Sequence, residues 1–198
     1  LLLDLGFSSE QIEKSKKGFS FDKDEPLIMT YSREVKPVAQ VIRELTEKEL
    51  ADVIFKLSGE KYSRQIAKTI KAVSKKKRII SSLDLAEIIR RAVPKNYERG
   101  RIDPATRTFQ ALRIYANSEL ENLENLLKNL TEVVKPQGRT AIISFHSLED
   151  SLVKNYFHKL ERSGEAKILT KKPVEASKEE VAGNPRSHPA KLRALQII

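Results

Sequence analysis

LLLDLGFSS, residues 1–9, is the stretch whose reading decides the fold. LLLDL is apolar at every position but one, and reads as a short buried strand of the kind found in parallel sheets. Asp4 stands near the end of that run and Gly6 follows it. In an open α/β sheet, ligands bind beyond the carboxyl ends of the strands. A glycine there lets backbone approach a ligand closely, and a carboxylate accepts a hydrogen bond from an amine or a hydroxyl. A strand-end aspartate is also a common helix cap, so these residues alone leave both roles open.

The rest of the chain places this strand in context. Residues 13–37 hold turn formers and no clean period. Thr46 and Glu49 fit a capping box ahead of Leu50, Val53, Ile54 and Leu57. A basic helix is expected over 60–73, with Tyr62, Ile66, Ile70 and Val73 on one stripe. Lys75-Lys76-Lys77-Arg78 reads as a loop. Ser81 and Asp84 cap a further helix that Pro94 ends. Asp103-Pro104 opens a long helical region reaching Val134, broken near Asn117-Ser118, with Phe109, Leu112, Leu120, Leu123, Leu127 and Leu130 as its core stripe. TAIISF is a strand. SLEDSLVKNYFHKLER is a helix expected to be capped by Ser147 with Asp150 completing the box. AKILT, a short helix near 177–182 and LRALQII complete the order. The ends are α/β and the middle is all-α, so the fold class is an α/β parallel-sheet domain with an inserted all-α domain. The expected division is 1–11 with 102–198 for the sheet domain and 12–101 for the insertion.

The chain has 198 residues, 39% hydrophobic and 32% charged, which permits a packed core and argues against wholesale disorder. It has no cysteine. That excludes disulfides, thiolate metal sites and cysteine nucleophiles, and suits a reducing cytoplasm. No apolar run approaches the roughly 18 residues of a membrane helix, so no membrane partner is expected. The net charge is +10, and residues 61–113 alone hold 15 Lys and Arg against 4 Asp and Glu. Such a concentrated positive field suits a polyanion, with nucleic acid the first candidate. Arg64, Lys68, Lys71, Lys75, Lys76, Lys77 and Arg78 are the expected RNA contacts. Arg107 joins them from a helix start that favours an anion, and Arg186 from the loop Asn184-Pro185-Arg186. A simple solvated surface and a simple turn are the plain alternatives.

His146 follows a strand, beside Ser144, Ser147 and Asp150. A Ser-His-Asp hydrolase is a poor fit, because adjacent residues seldom converge as a triad and no G-x-S-x-G elbow is present. His158 is expected on a helix surface. The three histidines show no metal-ligand spacing, so no metal is expected.

Asp4-Leu5-Gly6-Phe7, an acid followed by a small residue and an aromatic, resembles the D-P-P-Y type motif of amino-group methyltransferases. DPATRTFQALRIYANSEL (103–120), IISFHSLED (142–150), GFSF (18–21) and NPRSHPAKLR (184–193) are longer strings. With LLLDLGFSS they resemble the MraW/RsmH family in its order and spacing, from residue 1 to about 194. The resemblance implies an S-adenosylmethionine-dependent methyltransferase of N4 of a cytosine in 16S ribosomal RNA, acting on that RNA or on the small ribosomal subunit. It implies a Rossmann-like methyltransferase sheet with an inserted helical domain. LLLDLG then corresponds to the family's fourth strand, and the family's earlier half, with its glycine-rich cofactor loop, is absent from these residues. Asp4 and Gln11 match cofactor-pocket positions. Phe7, Ser8 and Ser9 are the candidates for the cytosine-facing loop, with Phe7 stacking on the base, and His146 gains a substrate-pocket role. A non-catalytic RNA-binding module on a partial sheet is the rival. GFSFDKDEPLIMTY departs from the family's GFSF-x-x-D-G-P-L-D-M-R-M at Glu25, Ile28, Thr30 and Tyr31, so that loop's substrate contacts do not carry over.

Overall fold

The computed structural model describes residues 1–6 and 14–198. The chain packs as two units: Leu1–Gly6 with Leu120–Ile198, and Phe7–Glu119.

The first unit is built on a mixed sheet. Its strands are β1 (Leu2–Asp4), β2 (Arg139–Ser144), β3 (Ala166–Ile168), β4 (Val174–Glu175) and β5 (Lys191–Ile197). The order is β1-β2-β5-β3, and β4 also pairs with β5. β1 and β2 are parallel, with Leu2, Leu3 and Asp4 opposite Ala141, Ile142 and Ile143. β5 runs antiparallel to β2, β3 and β4. The alternation of β5 is clean, with Arg193, Leu195 and Ile197 facing inward. Leu195 and Ile197 meet Ile142, Val153, Phe157, Leu123, Leu127 and Leu130 in one apolar core.

Two expectations need correction here. LLLDL is not buried along its length: Leu1 is 46% and Leu2 66% exposed, while Leu3 and Leu5 pack against the core. β1 ends the sheet among the described residues, so only its inward face is covered. The helix after β2, Ser147–Arg162, is capped one residue earlier than Ser147. His146 Nδ1 accepts from the Glu149 N–H at 3.3 Å, and a Glu149 oxygen accepts from the Phe145 N–H at 2.9 Å. Asp150 serves elsewhere. Its two oxygens accept from Arg193 Nε and Nη2 at 2.7 and 3.0 Å, tying this helix to β5.

The second unit is helical. Its elements are α1 (Val38–Glu44), α2 (Glu47–Ser58), α3 (Ser63–Ser74), α4 (Ser82–Ala92) and α5 (Ala105–Ala116). The first unit adds α6 (Glu119–Lys128), α7 (Leu130–Val133), α8 (Ser147–Arg162) and α9 (Lys178–Gly183). Thr46 and Glu49 form the predicted capping box of α2, and Gly59 ends it with a left-handed φ of 67°. Ser81 caps α4 and Ser177 caps α9. Asp103 Oδ1 accepts from the Ala105 N–H at 2.7 Å and so opens α5. Leu50 and Ile54 of α2, Ile66 and Ile70 of α3, Leu85 and Ile89 of α4 and Phe109 and Leu112 of α5 fill one core. Each such side chain contributes roughly 1.5–3 kcal/mol on burial. By packing, α5 lies with these helices, in the compact unit Phe7–Glu119.

The irregular stretch before α1 is pinned to this core. Phe19, Leu27 and Met29 are buried in it, and the Leu27 N–H donates to the Ile80 carbonyl at 2.8 Å. The residues that depart from the family pattern are part of the pinning. Glu25 is buried and accepts from the Gly18 N–H at 3.0 Å. Gly18 has φ 74°, and a Cβ there would lie 2.5 Å from the Pro26 carbonyl, so only glycine fits. Tyr31 donates from its N–H to Asn117 and from its hydroxyl to Glu119, both at 2.9 Å, and stacks on Phe19.

Asp150 and Arg193 are a nearly buried ion pair, so loss of one partner strands the other. Arg193→Ala is expected to lower the stability of the sheet unit by about 3 kcal/mol at neutral pH. Hydrogen exchange at β2 and β5 amides measures it. The Arg193 guanidinium holds the Asp150 carboxyl below its ordinary range, against the opposing effect of burial. The pair's contribution is therefore full above an unfolded carboxylate value of about 3.9, and disappears as pH falls through the lower folded value. A gap between wild type and variant that stays constant down to pH 2 would contradict this. Thr46→Ala, which removes the capping box of α2, is expected to cost about 1 kcal/mol in the helical unit. Unchanged exchange protection along α2 would contradict that.

Candidate functional site

The site is built by the parallel register of β1 and β2. Both strands end at the same edge of the sheet. Asp4 is opposite Ile143, the Leu5 N–H donates to the Ile143 carbonyl at 3.0 Å, and three residues further along β2's path stands His146. The turn at Gly6, with φ 94°, packs beside Phe145, the residue before His146. Two segments about 140 residues apart in sequence are thus brought to one edge.

Their side chains are in different states. Asp4 is exposed and makes no hydrogen bond or ion pair among the described residues. It caps no helix among the described residues, and its side chain is exposed at the end of β1. His146 is mostly buried, at 12% side-chain exposure. Its Nδ1 is occupied by the Glu149 N–H, which leaves the proton on Nε2 when the ring is neutral. Nε2 lies 3.2 Å from Glu149 Oε1 but outside hydrogen-bond geometry. A ligand group is one acceptor that could satisfy it. Glu149 is the residue that sequence reasoning missed. It is 4% exposed and holds the SFHSLED turn through both the His146 ring and the Phe145 N–H. The signal was present, since an acid three residues after a polar cap is the capping-box pattern.

The hydrolase arrangement is not formed. Ser144 Oγ donates to the Lys191 carbonyl at 3.3 Å, Ser147 is exposed, and Asp150 is bonded to Arg193. His158 is partly exposed on α8, 3.8 Å from Glu161, and His188 is exposed beside Arg186. Phe7, Ser8, Ser9 and Gln11 lie outside the described residues.

The basic residues divide by what they already touch. Arg64, Lys68, Lys75, Lys76 and Arg78 are exposed and make no ion pair among the described residues. Lys77 is paired with Asp84 at 2.8 Å on the surface. Lys71 is committed to the fold: its Nζ donates to the carbonyls of Ile42, Arg43 and Leu45 at 2.9, 3.1 and 2.6 Å. It therefore caps the C-terminus of α1, where unpaired carbonyls favour a cation. Arg107 is likewise internal, donating to Glu98 at 2.7 Å and to the Tyr97 hydroxyl at 3.2 Å. Arg113, the other arginine of α5, is bidentate on Glu119 at 2.8 and 2.9 Å. No helix among the described residues is long and apolar enough to cross a membrane.

Comparison with known proteins gives consistent matches. The chain is 44% identical, over all of its length and 68% of the relative's, to ribosomal RNA small subunit methyltransferase H of Treponema denticola. It is 42% identical to the protein of that name from Syntrophus aciditrophicus, again over the whole chain and 68% of the relative. The Rickettsia massiliae protein of the same name is 43% identical over the whole chain and 69% of its own length. A sequence model of the MraW methylase family matches residues 1–198, the strand-end acid and the SFHSLED turn included, and the chain belongs to that family.

Proposed function

We propose that this protein transfers a methyl group from S-adenosylmethionine to the N4 amino group of a cytosine in 16S ribosomal RNA, in the cytoplasm, on the RNA or on the small subunit. Family membership and the names of the relatives support small-subunit ribosomal RNA methylation. The observation that supports the site is the register of β1 and β2, which sets an exposed carboxylate and a histidine turn at one sheet edge. Family membership favours the enzyme over a non-catalytic RNA-binding module.

In this proposal residues 1–11 and 102–198 form the Rossmann-like methyltransferase part, and residues 12–101 are an RNA-recognition insertion. The residues present at the edge fit part of a cofactor and substrate pocket. Asp4 is exposed, makes no hydrogen bond or ion pair among the described residues and is followed by a glycine turn, which suits a group that accepts from a ligand. Asp4 and Gln11 would hold S-adenosylmethionine, which supplies an electrophilic methyl on a sulfonium. The protein's part is positioning. The N4 lone pair of cytosine is delocalised into the ring, so the amine is a weak nucleophile. The Asp4 carboxylate, accepting from the amino hydrogens, favours a pyramidal nitrogen. Phe7 and Ser8 complete the base-facing loop, and Phe7 stacks on a base drawn out of its own stack. His146, its ring fixed by Glu149, offers its Nε2 proton to the bound nucleoside.

Asp4→Ala is expected to lower kcat/KM for transfer of radiolabelled methyl to small-subunit RNA by about 100-fold, a typical loss for one preorganised polar group. A variant that keeps its fold and wild-type turnover would remove Asp4 from the site. The RNA affinity is expected to fall linearly with salt on a double-logarithmic plot. Arg64→Ala with Lys68→Ala is expected to flatten that slope by about 1.4. An unchanged slope would take the α3 face out of the RNA contact. Failure to bind or methylate small-subunit RNA at any salt would overturn the substrate reading.

A further inference from the structure

We infer that the loop Lys95–Arg101, with Lys61 beside it, is a preformed phosphate-binding surface for the RNA substrate, distinct from the basic face of α3. The inference rests on the RNA reading above and deepens it, naming within the insertion the residues that meet the phosphates.

The loop joins α4 to α5 and contains a short 3-10 turn, Tyr97–Gly100. Glu98, Arg99 and Gly100 have φ values of 44°, 53° and 75°, three left-handed residues in a row. Two of them are not glycine. Such backbone persists only where its surroundings over-determine it, and it clusters at functional positions. The surroundings here are specific. Tyr97 is 5% exposed, and its hydroxyl donates to Glu60, which is fully buried. Arg107 Nη1 reaches the Tyr97 oxygen at 3.2 Å and Glu98 Oε1 at 2.7 Å. Glu60 also accepts from the Tyr62 N–H at 2.8 Å, which anchors the turn before α3 to the same cluster. The loop is therefore pinned at two consecutive residues by α5 and by the turn carrying Lys61.

The charges this scaffold displays do no work in the fold. Lys61, Lys95, Arg99 and Arg101 are exposed, and none makes an ion pair among the described residues. Glu98, the one acid within the loop, is already neutralised by Arg107. Lys61 stands between Glu60, which accepts from the Tyr97 hydroxyl, and Tyr62, whose ring centroid is 6.0 Å from that of Tyr97, so it flanks the loop that carries Lys95, Arg99 and Arg101. Arginine at two of the positions supplies the planar fork that matches phosphate oxygens. A loop held rigid before binding loses little freedom on docking.

The test uses the full-length protein and a small-subunit RNA fragment, with the dissociation constant measured across KCl concentrations. Arg99→Ala with Arg101→Ala is expected to bind about 10-fold more weakly near physiological salt, with a log-log slope smaller by about 1.4. Arg99→Lys with Arg101→Lys is expected to keep the slope and lose part of the affinity, because charge survives and the fork does not. Tyr97→Phe, which loosens the anchor without altering charge, is expected to weaken binding at unchanged slope. A folded double-alanine variant with wild-type affinity and slope overturns the proposal. So does a defect seen only with assembled subunits and never with naked RNA, since that would assign the loop to a protein partner. Wild-type protein that binds no RNA removes the substrate reading itself, an outcome distinct from either.

Discussion

The parallel pairing of β1 with β2 is the constraint on which the site depends. Three residues of β1 are held by three of β2, with Leu2 opposite Ala141 and Asp4 opposite Ile143. Side chains alternate faces along a strand, so a slip of one residue would turn Leu3 out of the core and Asp4 to the other face. Leu3 and Leu5 pack against Ile142 and its neighbours, and that contact fixes the register. Parallel strands need a crossover, and here the crossover contains the whole helical unit. Loop-closure entropy grows only with the logarithm of length. Extending a crossover from about 12 to about 130 residues adds only about 2 kcal/mol. A unit that carries its own apolar core, from Leu50 to Leu112, readily offsets a penalty of that size.

What was legible in the sequence was local chemistry. The Thr46–Glu49 box, the Ser81 cap and the Asp103 start of α5 are satisfied within three residues, so a short window contains the whole interaction. What was missed depends on partners far along the chain. His146 with Glu149 and Ser147 with Asp150 both offer a cap and an acid three residues later. Arg193, more than forty residues on, takes Asp150 and so leaves the capping to the other pair. The exposure of Leu1 and Leu2 follows from β1's having one strand partner, β2, among the described residues. β4 is two residues long and exists only through its pairing with β5.

Charge shows the same division between composition and placement. Residues 61–113 hold 15 Lys and Arg against 4 Asp and Glu, but the members of that excess are not equivalent. Lys71 terminates α1, Arg107 holds Tyr97 and Glu98, and Arg113 is bidentate on Glu119. Buried or half-buried cations of this kind have exchanged water for fixed oxygens, so little of their charge is left to attract a polyanion. The residues with charge to spend are those on exposed faces without partners, Arg64 and Lys68 on α3 among them. A sum over the sequence counts both kinds alike, and only the hydrogen-bond partners separate them.

The altered GFSFDKDEPLIMTY loop then has a physical explanation that leaves the sheet edge intact. Its departures from the family pattern are satisfied within the helical unit: Glu25 on the Gly18 N–H, Thr30 on the Ser32 carbonyl, and Tyr31 on Asn117 and Glu119. A lost arginine and a lost acid would matter most if they had left buried groups unpaired, and the replacements bring their own partners. Methyl transfer demands little from the protein beyond holding groups in line, and in the proposed mechanism that demand falls on strand ends and the turn that Glu149 fixes. Grip on a long polyanion is a sum of many weak contacts, and it tolerates the exchange of any one of them. In the proposed division, chemistry sits at the sheet edge and grip on the helices and their loops, so an altered loop whose replacements are satisfied within the helical unit leaves the β1–β2 edge as it is.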